Sequence, residues 1–404
     1  MFAFEMDNNY NAAATVKSYA AKGIHAGTAV TRAILDRLGS PDEKLKIIHI
    51  AGTNGKGSTA QFFTSILVAA GKKTGTFTSP EVYDFYDQFM LDNVIIPPET
   101  VEKYFAAALK AAEGLDATGF EVQTAGIILA FAEEGCEYAV LECGMGGLGD
   151  ATNAVNDKVL SVITSVSLEH TSYLGNSIEE ICRHKAGIIA KGRPVVVNAH
   201  QPPQARQYFG AAGAIFADGV EYNGGKEFSY RGKKYELTAE GCLQPYNAAT
   251  AIEGAAILGI DGTAVYEGIK NASPRGRLER FRACGREYVL DGAHNPAAFG
   301  PLKSFLTDTA ETKTIIFGCL SDKDIDGILA NIAGLADSVT AVACTGPRAR
   351  TLAETKAACE RYFKCVRAAD SVSAALDGAE GETVVVCGSF TILKEARDWI
   401  EKKQ

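Results

Sequence analysis

Short apolar runs bounded by turn residues recur at 45–50, 138–141, 159–163 and 194–197, and amphipathic stretches separate them. That alternation predicts a parallel sheet covered by helices. Between 213 and 240 the pattern changes: Gly224-Gly225 precedes two short runs, 228–230 and 234–237, set about Arg231-Gly232. They read as antiparallel strands at the edge of the first domain. A helix is expected over 246–258. The string Asn271-Ala272-Ser273-Pro274-Arg275-Gly276 breaks helical pattern and serves as a linker. Beyond it, apolar runs at 288–290, 314–317, 339–343 and 384–386 alternate with helical segments that end at 393–401. The expectation is α/β throughout: a large domain over 1–270, a linker over 271–276 and a smaller α/β, Rossmann-like domain over 277–404. A cleft between two such domains is a favoured place for a substrate.

Composition narrows the function classes. A chain of 404 residues exceeds the size at which one core usually keeps growing, which agrees with two domains. The net charge of −9 argues against broad nucleic-acid binding, so an anionic ligand must be held by local charges. Ten cysteines without a CxxC pair suit free thiols in a reducing compartment. The first eleven residues carry acids and asparagines where an export signal would be basic and then apolar, and no apolar run is long enough to span a membrane. A cytoplasmic monomer is expected.

The most informative stretch is Gly52-Thr53-Asn54-Gly55-Lys56-Gly57-Ser58, between a predicted strand and a predicted helix over 59–70. Strand, glycine loop and helix together leave backbone N–H groups and the helix dipole for phosphate oxygens. Lys56 adds a charge and Ser58 a hydroxyl for Mg²⁺. The spacing from Gly52 to Lys56 is shorter than in the common G-x-x-x-x-G-K-[ST] loop, yet the first domain reads as P-loop ATPase-like. The plainer alternative is that Gly and Ser merely cap a helix.

Four further islands hold residues that a core does not require. Glu142 ends a predicted strand and is followed by a glycine-rich turn, Gly144 to Gly149, and by Asp150-Ala151-Thr152-Asn153. It could hold Mg²⁺ directly or through water, or serve as a buried structural carboxylate. His170 follows the next strand. Lys185 lies on a helix that starts near Ser177, and the apolar residues after it imply burial, so its ammonium must meet an anion or be modified. In the second domain Asp291-Gly292-Ala293-His294-Asn295-Pro296 ends a strand. Asp291 could accept from ribose hydroxyls or an attacking amine, and His294 could stack on a nucleotide. With Arg277, these groups would complete a site on ATP when the domains close.

With these islands the chain resembles folylpolyglutamate synthase/dihydrofolate synthase, within the Mur ligase superfamily. The resemblance rests on Gly52 to Ser58, Ser79-Pro80, Gly146-Gly147, Asp150 to Asn153, His170, Lys185-Ala186-Gly187-Ile188, Gln244 to Thr250, Gly276-Arg277-Leu278-Glu279, Asp291 to Pro296 and Asp322-Lys323-Asp324, in family order. It implies that ATP phosphorylates a pterin or folate carboxylate and that the amine of L-glutamate attacks the acyl phosphate, a ligase of folate biosynthesis and one-carbon metabolism. Carried over, Thr53, Asn54, Gly55, Lys56, Gly57, Ser58, Asn247, Arg277 and Asp291 bind ATP. Ser58, Ser79, Glu142, His170 and a carbamylated Lys185 surround Mg²⁺, and a monovalent cation is a further expectation. Lys56, Lys185, His170, Asp291 and His294 carry the chemistry. Carbamylation needs free amine, of which an ordinary lysine has under about 0.1% at neutral pH, so burial would favour it.

Three segments depart from the family pattern. Glu81-Val82 stand where His-Leu is usual, Asp87-Gln88-Phe89 where Glu-Arg-Ile is usual, and Leu148 where an arginine follows the paired glycines. The first two belong to the pterin side, so the acceptor is left open between dihydropteroate and a reduced folate, as is the number of glutamates added. A Mur-type ligase for a different acid, a P-loop kinase or NTPase that makes no amide, and a non-catalytic binding module are the competing readings.

Overall fold

The structure, a computed structural model, describes residues 11–19, 23 and 25–404. The segment read as lacking an export signal therefore lies, apart from Asn11, outside the described residues. Packing divides the chain into two compact units. Of the described residues, the first comprises those up to 80, 88–218 and 250–268, and the second 81–87, 219–249 and 269–404.

The first unit is built on β1 (Lys46–Ala51), β2 (Thr74–Phe77), β3 (Phe89–Leu91), β4 (Val94–Ile95), β5 (Tyr138–Glu142), β6 (Leu160–Ile163), β7 (Val195–Val197) and β8 (Ile215–Phe216), in the order β4-β3-β2-β5-β1-β6-β7-β8. All neighbours run parallel except β2 with β3 and β3 with β4. Strand β1 lies between β5 and β6, and five of its six residues are buried. A strand covered on both faces must read as a near-continuous apolar run, which is why this one was legible. The antiparallel edge was not. Its strands are short, and β2 carries Gly75, whose missing side chain makes room for the Phe131 ring.

The predicted helix after the glycine loop begins earlier, at Lys56, and runs to Ala69. Gly55, at φ +88°, caps its start, so Lys56 and Ser58 occupy the first turn. Gly254 and Gly268 let later helices approach this one: a Cβ at Gly268 would lie 2.4 Å from Ile66 Cα.

The second unit holds two sheets. Strands β9 (Val220–Glu221), β10 (Glu227–Tyr230) and β11 (Lys233–Glu236) form an antiparallel sheet as expected, but as a sheet of its own that groups with the second unit and not at the edge of the first domain, and Arg231-Gly232 turns β10 into β11 with both residues at positive φ. Strands β12 (Glu279–Ala283), β13 (Arg286–Asp291), β14 (Lys313–Phe317), β15 (Ser338–Ala341), β16 (Val366–Ala368) and β17 (Thr383–Cys387) form the larger sheet in the order β12-β13-β17-β14-β15-β16. Only the β12–β13 pair is antiparallel. Buried side chains cover both faces of this sheet, among them Val289, Ile315 and Val385 on one and Leu290, Ile316 and Val386 on the other.

Candidate active site

In the first unit the informative residues follow the carboxyl ends of β2, β5, β1 and β6, four consecutive neighbours in the sheet. The loop after β1 is tied to the loop after β6. Thr53 N donates to Ser165 O at 2.8 Å, Ser167 N donates to Thr53 Oγ1 at 3.1 Å and Ser165 Oγ donates to Asn54 O at 3.2 Å. Gly52, at φ +154°, is required by this closeness, because a Cβ there would fall 1.8 Å from Thr164 Oγ1. The loop is therefore held by hydrogen bonds within the protein itself.

Lys56 Nζ donates to Thr53 O at 3.2 Å and lies 3.7 Å from Glu142 Oε1. Ser79 N donates to Glu142 Oε2 at 3.3 Å, and a Cβ on Gly57 would come within 3.3 Å of the same oxygen. Ser58, Glu142 and the Ser79 hydroxyl are all buried, and Ser79 Oγ has no hydrogen-bond partner. These are hard oxygen donors beside a helix N-terminus, the chemistry that suits Mg²⁺ rather than a soft metal. Among the described residues no three of His, Cys, Asp and Glu gather as a metal cluster.

Lys185 is buried near the end of the helix Ile178–Ala186, whose start is fixed by a capping box between Ser177 and Glu180. Burial, reinforced by the nearby Lys56 charge and opposed by Glu169, pulls its ammonium down to about 7. No ion pair forms at Lys185 among the described residues. The paired glycines explain themselves here: Leu148 N donates to His184 O at 2.7 Å, and a Cβ on Gly147 would meet that same oxygen at 2.8 Å. Backbone has to pass against the helix end, so side chains are excluded. His170 adopts φ +50°, with Nε2 3.8 Å from Glu169 Oε1.

A buried polar network lies behind this surface. Asp150 accepts from Met145 N at 2.7 Å and from Thr152 Oγ1 at 2.6 Å, and Thr152 Oγ1 lies 2.7 Å from Nε2 of His49, which in turn lies 3.1 Å from Cys143 Sγ. Burial, with the Lys158 charge, holds the His49 imidazole well below its usual pKa, and burial pushes Asp150 up against its hydrogen bonds. Sequence reasoning passed over His49, although a titratable residue inside an apolar strand was the available signal.

In the second unit Asp291 ends β13, buried, and its carboxylate accepts from Leu278 N at 3.0 Å and Ala293 N at 2.8 Å. Burial raises its pKa, opposed by the Arg277 charge and these amides. Gly292 N donates to Gly276 O at 2.8 Å, so the 276–278 turn and the 291–294 turn are bound together. His294 Nδ1 lies 2.8 Å from Gly292 O, and its ring is 5.8 Å from that of Phe390, over which the Arg277 guanidinium also sits at 4.7 Å. Asn247 Nδ2 donates to Gln244 Oε1 at 3.2 Å.

Residues 50–244 match the Mur ligase middle domain and 276–390 the Mur ligase glutamate ligase domain. The chain is 31% identical to the dihydrofolate synthase/folylpolyglutamate synthase of Bacillus subtilis, over 93% of this chain and 95% of that protein. It belongs to that family of Mur ligases. Its fold overlays, with a TM-score of 0.87 and 28% identity, on Escherichia coli FolC in complex with DHPP and ADP, covering 98% of this chain and 99% of that one. A Haloferax volcanii protein named as a probable bifunctional folylpolyglutamate synthase/dihydropteroate synthase is 32% identical over 93% of this chain, which spans 48% of its length.

The first unit brings a glycine loop at a helix N-terminus, a buried carboxylate, an unpaired hydroxyl and a buried lysine to one end of the sheet. Thr53, Asn54, Gly55, Lys56, Gly57, Ser58, Ser79, Glu142, His170 and Lys185 all lie in that unit, and Asn247, Arg277, Asp291 and His294 in the other. Among the described residues no helix is long and apolar enough to cross a membrane.

Proposed function

We propose that this chain uses ATP to activate a pterin or folate carboxylate and joins it to L-glutamate. A carboxylate oxygen attacks the γ-phosphorus and ADP leaves; the α-amine then attacks the acyl carbon, phosphate leaves, and the nitrogen gives up a proton. Both encounters bring anions together, so positive charge and oriented N–H groups must offset the oxygens that gain charge. Lys56 and the amides of the 52–58 loop fit that task. Ser58, Ser79 and Glu142 would hold Mg²⁺, with His170 and a carbamylated Lys185 around them, and Mg²⁺ when bound would neutralise phosphate oxygens. Arg277, Asn247 and Asp291 belong to the nucleotide in this reading, and His294 to the incoming amino acid. ATP, L-glutamate and one pterin acid are the partners of a chain divided near 271–276, acting as a monomer without nucleic acid.

The observation that carries this reading is the buried Ser79 hydroxyl without a partner, beside Glu142 and within the reach of the phosphate loop. A hydroxyl left so in a folded core is otherwise expensive. Labelled L-glutamate incubated with Mg²⁺, ATP and either dihydropteroate or tetrahydrofolate tests it, with products resolved by mass. An adduct on either acceptor is expected. ADP release with no adduct on either would direct attention to a different acid, a reading favoured by the acidic segment 81–87 and by Leu148, which is largely exposed.

A further inference from the structure

The segment 81–87 packs within the second unit, whereas Pro80 before it and Gln88 after it belong to the first. It is a built strap. Buried Asp87 accepts from the backbone N–H groups of Val82 at 3.2 Å, Tyr83 at 2.7 Å and Asp84 at 3.0 Å, closing the segment on itself. The Tyr83 hydroxyl donates to the Glu279 carboxylate, and the Arg397 guanidinium lies 4.7 Å from the Tyr83 ring, 5.4 Å from the Phe281 ring and 3.6 Å from Glu279 Oε1. Lys394 Nζ lies 3.8 Å from Asp84.

The same Glu279 carboxylate accepts from Gly276 N, and Gly276 carries Arg277 as its neighbour. Val82 is seated on Gly276 so closely that a Cβ there would lie 2.7 Å from Val82 Cγ1. One carboxylate thus holds two pieces of chain. One is the strap that begins two residues after Ser79, and the other is the turn that presents Arg277.

We propose that Glu279 is a positioning residue: it fixes the strap 81–87 and the Gly276–Arg277 turn together, so that acceptor and nucleotide groups are set by one anchor. In this role Glu279 acts through Tyr83 and Gly276. Arg397 keeps the carboxylate in place. The proposal rests on the ligase reading above for its kinetic arm only.

Full-length Glu279→Gln and Tyr83→Phe test it. Loss of a charge-assisted hydrogen bond predicts a rise of about tenfold in the KM of the acceptor for both variants. Only Glu279→Gln, which also loosens Gly276, should raise the KM of ATP by a similar factor. In both, kcat should stay within about threefold of the parent. Unchanged KM values in folded variants, or a fall in kcat alone, would overturn the proposal. Amide hydrogen exchange gives a readout that needs no turnover: Glu279→Gln should speed exchange at Val82, Tyr83 and Asp84. Equal protection there would overturn it even if the parent chain proved not to be a ligase. Should Glu279→Gln fail to fold, faster exchange at the same amides in Tyr83→Phe is the expected result and unchanged exchange the contrary one.

Discussion

Lys185 shows how a single residue links burial to chemistry. With its folded pKa pulled from 10.5 to about 7, the metal-free protein binds one proton fewer at this site than the unfolded chain does between those values. Stability contributed by this group therefore rises with pH across that window, and below it the full penalty of a buried ammonium remains. Lys185→Met should raise the melting temperature of metal-free protein in CO₂-depleted buffer at pH 6, with the gain shrinking as pH climbs toward 10. On the proposed site, where Lys185 stands at the reacting charges, the same substitution should lower glutamate ligation by about two orders of magnitude. An equal melting temperature at both pH values would contradict the buried-ammonium account. The burial of Lys185 was legible because apolar residues follow it at once. Glu279 was legible only as part of a family string: its role comes from Tyr83 and Gly276, one of them 196 residues away.

At the scale of elements, the parallel strands declared themselves and the antiparallel edge did not. Runs such as Val195–Val197 are apolar because both faces are covered, whereas β3 and β4 are too short to show a period. The helix Gly262–Asn271 offers a sharper check on packing. It reaches the Lys56–Ala69 helix through Gly268, where a Cβ would strike main-chain atoms of Ile66. Gly268→Ala should cost about 1–3 kcal/mol of stability in urea unfolding, because backbone cannot step aside as a side-chain tip can. Ile66 lies almost three turns from Lys56, so the KM of ATP should change by less than about twofold. A large loss of ATP affinity with little loss of stability would mean that the helix shifts as a rigid rod.

Across the whole molecule the ten cysteines give an internal gauge of unfolding. All are free; Cys284 and Cys365 are exposed, Cys242 is half-buried and the other seven are buried. Burial pushes thiols such as Cys136 and Cys359 up to about 12, so they are poor nucleophiles as well as hidden. A disulfide reagent should label Cys284 and Cys365 rapidly in native protein, Cys242 more slowly, and the rest only as denaturant unfolds the chain. Early labelling of Cys143, beneath the Glu142 strand end, would show that the sheet opens locally before the whole unfolds. An α/β fold and a glycine loop between a strand and a helix could be read from sequence. That the 81–87 strap groups with the second unit while both its flanks belong to the first could not, because periodicity reports which face is covered and never which neighbour covers it.

The order of β5, β1 and β6 has a further consequence during synthesis. Lys56 leaves the ribosome long before Glu142, and Ser165 later still, yet the loop around Lys56 is held by bonds to Ser165 and faces the charge of Glu142. A nascent chain stopped before residue 160 would carry the whole glycine motif and still lack the strand that locks it. Nucleotide affinity should thus appear abruptly with chain length, after β6 has emerged and paired, and a series of stalled chains would record when the middle of the sheet first closes.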